Sequence, residues 1–458
     1  MIDLKEHKHF HFIGIGGIGM SALAEILLAR GYRVSGSDIK PSDITNHLAE
    51  LGAMIYDNHD AANIQGCDAV IYTAAVSEEN PEVLQAKRSG IPLYSRAMLL
   101  GTLMTDQPNS IAISGTHGKT TTTSMVSLIL ENSGFDPTIL IGGNLPQING
   151  NVKIGKGDFF VTEACEYMDS FLNMRPNVEI ILNIDSDHLD YFSNIEHIAS
   201  SFLKFASLVP KEGLVVAYSA NAFVASVIKN LSCNVTTFGF GTSFDYGADN
   251  IQFDSNGYPA FDVYHKGSFL TRIHLAVPGE HNVSNALASF ACTHSLGAPV
   301  DKIAETLEAF TGTQRRFDYI GVTRNGARII DDYAHHPTEI RATLKAATNV
   351  PHNRIWCVFQ PHTYTRTLAL FDEFAASFEN ADSVILTDIY AARERNIYKV
   401  SSEDLANKIK SQCPDKDITY MSSFEEISAF LSSHAQEGDL VITMGAGDVF
   451  KISKLLKV

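Results

Sequence analysis

Short runs of apolar, largely β-branched or aromatic residues recur along this chain, and between them apolar residues return every three or four positions. The first pattern fits strands buried on both faces, and the second fits helices with one apolar stripe. The alternation falls into three successive segments. In the first, HFHFI at 9–13 predicts a strand, 21–30 a helix stopped by Gly31, 32–36 a second strand and DAVIYTA at 68–74 a buried one. Residues 107–110, with Pro108, read as a linker. The second segment predicts a strand at 111–114, a helix over 121–131 and strand-length runs at 159–163 and 180–184. Residues 231–278 are rich in aromatic, β-branched and glycine residues and read as an antiparallel excursion, followed by a helix over 281–296. The third segment starts near Gln314, with strands expected at 328–330, 355–359, 384–386 and 440–444. Such alternation predicts an α/β fold with mostly parallel sheets.

Length supports three domains: 458 residues at ~150 residues each. The pattern divides them at 1–107, 108–313 and 314–458. Hydrophobic content of 45% and charged content of 19% are those of an ordinary globular protein. The net charge of −17 excludes a nucleic-acid-coating role, which needs an excess of Lys and Arg, but leaves room for a local basic pocket. Six cysteines stand singly with no CxxC pair, so neither a disulfide framework nor a zinc site is expected, and a reducing compartment is. The start, MIDLKEHKHFHF, carries no apolar h-region. No apolar run approaches the ~20 residues that span a bilayer. A cytoplasmic protein without a membrane partner is expected.

The chemistry concentrates at strand ends. IAISGTHGKTTTT at 111–123 orders strand, glycine turn, Lys-Thr and helix as a phosphate cradle does. Ile113 stands where the Walker A pattern has its first glycine, so the loop is a shortened variant. Backbone N–H groups at the helix start point at an anion, Lys119 adds a charge, and the Thr120 hydroxyl suits Mg²⁺. Earlier, Gly14, Gly16 and Gly19 fit GxGxxG, with Asp38 placed to meet a ribose. Two readings of that turn stand: a nicotinamide dinucleotide, or another diphosphate-linked ribose. The ATP-type loop tilts toward the second. Glu163 and Glu166 in VTEACEYMDSF are placed to hold Mg²⁺ opposite Thr120. DSDHLD at 185–190 crowds three acids with His188, which holds a second metal or positions a phosphate, and the cluster needs cations to offset its repulsion. GEHNVSNA opens a helix with His281, Asn282 and Asn285. QRRF, DDYAHHP, QPHTYTRT and DIYAARE supply Arg315, Arg316, Arg366 and Arg393, a residue type suited to bidentate contact with phosphate or carboxylate.

Taken together, GIGGIGMS, GTHGKTTT, EACEY, NIDSDHLDYF, GEHNVSNA, QRRFD, DDYAHHPTE and FQPHTYTRT occur in the order found in the Mur ligases of peptidoglycan synthesis, and the chain resembles that family over essentially its whole length. The resemblance implies a Rossmann-like N-terminal domain, a P-loop ATPase-type central domain and a Rossmann-like C-terminal domain. The first would bind the UDP-sugar through Gly14, Gly16, Gly17, Gly19 and Asp38. The second would bind ATP through Gly115, Thr116, His117, Gly118, Lys119, Thr120 and Thr121, with Asn282 on the adenine. Arg316 and Asp332 would reach the nucleotide from the third. Thr120, Glu166 and His188 would hold Mg²⁺. Tyr333, His335 and Arg366 would hold the amino acid. Lys119, His188, His335 and Arg366 would carry the chemistry. The implied reaction joins L-alanine to UDP-N-acetylmuramate with ATP, by a monomer or homodimer. Thr363 stands where some relatives carry arginine, and Lys204 does not align with the carbamylated lysine of other branches.

Overall fold

In the computed structural model, which describes residues 2–73, 76–392 and 394–458, the chain forms three sheets in sequence order. Ala74, the last residue of the expected strand 68–74, and Arg393 lie outside the described residues. The first sheet comprises β1 (His9–Ile13), β2 (Arg33–Ser37), β3 (Met54–Tyr56), β4 (Ala69–Tyr72) and β5 (Leu93–Ser95) in the order β3-β2-β1-β4-β5. Every pairing in it is parallel. Helices α1 (Ile18–Ala29), α2 (Asp43–Glu50), α3 (Pro81–Ser89) and α4 (Arg96–Thr105) make the crossovers. The order is that of a doubly wound dinucleotide-binding sheet without its sixth strand, with β1 central and fully buried. The first helix starts three residues earlier than its apolar pattern predicts, because Gly17 caps it directly after the glycine turn.

The central sheet holds β6 (Asn109–Ser114), β7 (Thr138–Leu145), β8 (Gly150–Lys153), β9 (Phe159–Glu163), β10 (Val178–Ile181), β11 (Leu214–Tyr218), β12 (Asn234–Phe240), β13 (Tyr246–Phe253), β14 (Pro259–His265) and β15 (Ser268–His274). Its order is β15-β14-β13-β12-β11-β10-β6-β9-β7-β8, which puts the strand leading into the phosphate loop near the middle. Helices α5 (Lys119–Asn132), α6 (Ile195–Ala206), α7 (Ala222–Ile228), α8 (Glu280–Ser295) and α9 (Val300–Glu308) cover it. Three expectations need correction. Asn109 and Ser110 belong to β6 rather than to a linker, since the Ser110 hydroxyl donates to Asn177 Oδ1 at 2.9 Å and fixes the strand start. The strand at 180–184 ends at Ile181, because the chain then turns to bring Asn183 against the phosphate loop. The excursion after 231 is antiparallel only in β13–β15; β12 pairs parallel to both β11 and β13. Asp245 holds that parallel return by accepting from the Thr237 N–H at 2.9 Å and its hydroxyl at 2.7 Å.

The third sheet runs β16 (Asp318–Val322), β17 (Arg328–Asp332), β21 (Leu440–Met444), β18 (Ile355–Phe359), β19 (Ser383–Leu386) and β20 (Asp417–Tyr420), parallel except for the β16 edge. The helix α10 (Pro337–Thr348) follows β17. Among the described residues no helix is long and apolar enough to cross a membrane.

The first two layers share a core. One apolar cluster runs from Phe10 and Phe12 through Leu99 and Leu103 of α4 to Phe171, Phe202 and Phe205. Gly101 on α4 makes this possible: a Cβ there would lie 2.0 Å from the Asn173 carbonyl oxygen, so only glycine admits the backbone of the turn Tyr167–Asn173.

One buried acid sits beneath the phosphate loop. Glu179 on β10 accepts a hydrogen bond from the Ser114 hydroxyl at 2.7 Å, while its second carboxyl oxygen has no partner. Burial pushes the carboxyl up to about 8 from an ordinary 4.5. The folded state therefore holds a proton that the unfolded state releases, and stability falls as pH climbs across that window. Glu179→Gln keeps the Ser114 bond and removes the ionisation. Its melting temperature relative to the parent should rise between about pH 6 and about pH 8.5, by an amount worth a few kcal/mol at most; thermal melts at both pH values measure it.

Candidate active site

The phosphate loop is shaped by its neighbours. Gly118 caps α5 with φ +86°, and a Cβ there would lie 2.6 Å from Asn285 Oδ1, so the position needs both a left-handed backbone and an absent side chain. The His117 N–H donates to Asn183 Oδ1 at 2.8 Å, and the Asp185 N–H donates to the Thr116 hydroxyl at 2.9 Å. The Lys119 ammonium donates to the Gly115 carbonyl at 2.5 Å and to Glu166 Oε2 at 3.0 Å. Burial alone would lower its pKa, but Glu166 outweighs that and keeps it raised.

Glu166 stands at the turn after β9, and His188 at the turn after β10. Their side chains approach to 4.0 Å between Glu166 Oε1 and His188 Nε2. The Glu166 side chain is 3% exposed and the His188 side chain 22%. Glu166 and His188 thus bring a carboxylate and an imidazole together beside the loop, and a carboxylate is the side-chain type that holds a hydrated Mg²⁺ carrying phosphate oxygens. Glu163 turns elsewhere, its Oε1 accepting from the Gly142 N–H at 2.6 Å.

A cavity of about 830 Å³ lies between the central and third layers. Gly118, Thr121, Asn183, Asn282 and Asn285 line one side, and Arg316, Asp332, Thr338 and Glu339 the other. Tyr218, Phe240 and Phe253 supply flat apolar walls. Asn282 is buried and donates to the Pro278 carbonyl at 2.8 Å, and Asn285 donates to Asn282 Oδ1 at 3.1 Å, so both amides are locked in orientation. Asp332 accepts from the Phe317 and Ala334 N–H groups at 2.7 Å each. Burial lifts its carboxyl to about 6 despite the nearby Arg316. A volume of this size with few convergent polar groups is that of a nucleotide-sized ligand.

The two layers meet through charge. His117 of the loop is bonded on one side to Asp185 (3.3 Å) and on the other to Glu339 at the start of α10 (3.1 Å). The Thr338 hydroxyl donates to Asp185 Oδ2 at 2.7 Å, and His336 Nε2 bonds to the Ser186 carbonyl at 2.8 Å. Arg366 pairs with Asp187 at 3.1 Å, and burial of that acid is outweighed by Arg366, which holds its carboxyl far below the usual range. Asp187 is thus neutralised from the third layer, and Asp185 by His117 of its own domain. Beside this joint, His335 and His362 face each other at 5.8 Å, Arg366 Nη1 lies 3.2 Å from His362 Nδ1, and the Tyr333 ring lies 5.4 Å from His335. Burial lowers His335 and His362 to about 4 each, so both imidazoles are neutral near pH 7.

The glycine turn of the first layer is a separate station. The Gly14 N–H donates to the Ser37 carbonyl at 2.8 Å, the Gly17 N–H to the Gly14 carbonyl at 3.2 Å, and the Gly16 N–H to Asp38 Oδ2 at 2.9 Å. Gly19 packs on Arg96, whose Nη1 would lie 3.3 Å from a Cβ at that position. Under the turn, buried Glu82 accepts from Ser37 at 2.7 Å and Asn63 at 2.9 Å and contacts His59 at 2.9 Å and His11 at 3.3 Å.

The structure therefore gathers His117, Gly118, Thr121, Asn282, Arg316 and Asp332 around one cavity, Lys119 with Glu166 and His188 beside the loop, and Tyr333, His335 and Arg366 at the joint. Gly14, Gly16, Gly17, Gly19 and Asp38 cluster apart from them. Arg315 is no anion ligand here: its guanidinium donates to Asp331 at 2.8 Å and to the Gly445 carbonyl at 2.7 Å. Thr338 and Glu339 do not stand out in the sequence, although both lie inside DDYAHHPTE, whereas Asp185 and Asp187 belong to the acidic cluster expected to need cations, which His117 and Arg366 supply. Only pairing across the joint distinguishes Thr338 and Glu339.

The His117 bridge makes closure sensitive to pH. Burial would lower this imidazole, but Asp185 and Glu339 raise it from 6.5 to about 9. The charged bridge is complete below 6.5 and is lost as pH rises through about 9. Solution scattering should show the third domain loosening between about pH 7.5 and about pH 10, a step that His117→Asn removes.

Three family models match in succession: the Mur ligase family catalytic domain over residues 9–108, the Mur ligase middle domain over 113–293 and the Mur ligase glutamate ligase domain over 315–447. The chain is 52% identical over 456 residues to the UDP-N-acetylmuramate–L-alanine ligase of Alkaliphilus metalliredigens, covering 99% of this chain and 98% of that one. It is 52% identical to the enzyme of the same name from Clostridium acetobutylicum, with 99% and 98% covered. The crystal structure of UDP-N-acetylmuramate–alanine ligase from Thermotoga maritima superposes with a TM-score of 0.82 at 32% identity, covering 98% of each chain. A murein peptide ligase from Psychrobacter arcticus superposes with a TM-score of 0.74 at 27% identity, again over 98% of each. With three consecutive models matched and half of all positions shared along full-length relatives, this chain belongs to the Mur ligase family.

Proposed function

We propose that this protein joins L-alanine to the lactyl carboxylate of UDP-N-acetylmuramate in an ATP-dependent ligation, a cytoplasmic step of peptidoglycan synthesis. One observation carries the reading: a phosphate loop whose lysine and buried Glu166 stand beside a nucleotide-sized cavity that the third domain closes. The identity to ligases named for this reaction supports the choice of substrates. In this reading residues 1–107 take the UDP-sugar, 108–313 take ATP, and 314–458 close over both.

A carboxylate does not condense with an amine near neutral pH, because oxide is a poor leaving group. In the proposed sequence the lactyl carboxylate attacks the γ-phosphorus, the bond to the β-phosphate oxygen breaks, and an acyl phosphate and ADP result. The alanine amine then attacks the acyl carbon, a tetrahedral intermediate forms, and phosphate leaves with the bonding pair as the amide appears. Lys119 and the loop N–H groups stabilise charge on the transferring phosphoryl group. Bound at Thr120, Glu166 and His188, Mg²⁺ would neutralise phosphate charge. Asn282, Arg316 and Asp332 orient the nucleotide. Tyr333, His335 and Arg366 border the space for the amino acid, and the proton the amine loses leaves on the departing phosphate. Closure through His117, Asp185 and Glu339 excludes water, which would hydrolyse the acyl phosphate.

Two measurements test this. With UDP-N-acetylmuramate, ATP, Mg²⁺ and a panel of amino acids and peptides, mass spectrometry should find the alanyl adduct and stoichiometric ADP. A product carrying a tripeptide or another amino acid, or ATP consumed with no new amide, would replace the reading. Lys119→Ala should lower kcat by on the order of 10²-fold or more, the scale for loss of one preorganised electrostatic contact. Thermal melting run alongside separates that loss from unfolding, since the change also leaves Glu166 without its ion-pair partner.

A further inference from the structure

Glu166 and His188 open two tight turns, the Glu166 carbonyl accepting from the Asp169 N–H at 2.9 Å and the His188 carbonyl from the Tyr191 and Phe192 N–H groups at 2.9 Å each. The turn Tyr167–Asn173 contains two successive left-handed residues, Met168 (φ 52°) and Asp169 (φ 53°), and His188 itself has φ 54°. Side-chain-bearing residues adopt this backbone only where the surroundings impose it. A crossed pair of side-chain hydrogen bonds ties the two turns together. The Tyr167 hydroxyl donates to Asp190 Oδ2 at 2.8 Å, and the Tyr191 hydroxyl donates to Asp169 Oδ2, also at 2.8 Å. Each segment thus lends a tyrosine to the aspartate of the other. Ser201 of α6 donates to the other oxygen of Asp169, and the Tyr167 ring lies against the His188 imidazole with 4.6 Å between centroids.

We propose that Tyr167 and Tyr191 are positioning residues that fix the spacing of the Glu166–His188 pair, and through it the affinity for the divalent cation of the proposed reaction. The inference rests on that reading of the site. Tyr167 is the immediate neighbour of Glu166, and Asp190 lies two residues beyond His188, so the first bond ties the two donors together at closest range. The second bond fixes the left-handed step at Asp169 that turns the chain away from Glu166. The fold does not depend on either hydroxyl: the segments are anchored by Phe171 and Phe192, both buried, with Phe171 stacked 4.4 Å from Phe205. Tyr191 is 38% exposed, so losing its hydroxyl leaves no cavity. The clasp therefore acts on local geometry around the two donors, as outer partners of metal ligands do.

The test uses the full-length enzyme and the variants Tyr167→Phe and Tyr191→Phe. Mn²⁺ binding is read by electron paramagnetic resonance in the presence of a non-hydrolysable ATP analogue, with thermal melting and steady-state kinetics alongside. Each variant should bind Mn²⁺ roughly tenfold more weakly, and should need correspondingly more Mg²⁺ for half-maximal rate. At saturating Mg²⁺ kcat should stay close to the parent value, and the melting temperature should not move. Unchanged Mn²⁺ affinity in both variants overturns the proposal, as does a lowered melting temperature with cation affinity intact. If the parent forms no alanyl product but both variants still lose Mn²⁺ affinity, the clasp stands and the reaction assignment fails. Alanyl product with unmoved affinity has the opposite meaning.

Discussion

Burying charge at the joint between the second and third domains is the constraint on which the site depends. Asp187 and Arg366 are both nearly inaccessible at 9% and 11% side-chain exposure, and His117 and Glu339 are each at 14%. A single buried charge without a partner is costly, whereas a paired set is tolerable when geometry and hydrogen bonds are good. Here Asp185, Asp187 and His117 come from the central domain, and Arg366 and Glu339 from the third. The set is complete only when the domains are docked. Closure is therefore a sharp state, set by matched charges rather than by a broad apolar face. The same docking encloses the cavity proposed for the nucleotide, so sealing that cavity and completing these charge pairs go together.

The phosphate loop obeys a related rule on a smaller scale. Lys119 and Glu166 are one another's counter-ions, and the lysine also donates to carbonyls of its own loop. Each has a second task in the proposed reaction, one toward phosphate and the other toward a cation. A magnesium nucleotide carries both complementary charges, so it can separate the pair without leaving either member unmatched. Beneath the loop, Glu179 meets no such partner and keeps its proton instead. Two buried glutamates of the central domain, one after β9 and one on β10, thus resolve the same desolvation problem in different ways.

Much of this was legible in the sequence because parallel α/β layers write themselves plainly. β1, β9, β18 and β21 fall at the boundaries their apolar runs predict. The motif strings located nearly every polar group around the cavity. Pairings across domains were not legible. Nothing in DSDHLD says that Asp187 meets Arg366 some 179 positions later, since that contact is set by how two separately folded layers dock. The inward turn of Arg315 toward Asp331 was hidden for a similar reason: adjacent arginines look alike in sequence, and only the β16–β17 pairing separates them. The excursion after 231 misled because a β-rich composition carries no information on strand direction.

The glycine contact at position 101 has a mechanical consequence. Helix α4 rests directly on the backbone of the stretch that begins just after Glu166, with no side chain to act as a cushion. Any tilt of the N-terminal domain is therefore passed to the turn Tyr167–Asn173, whose first residue follows Glu166. In the proposed reaction, a sugar carrier settling on the N-terminal domain would load that turn by simple leverage through two touching main chains.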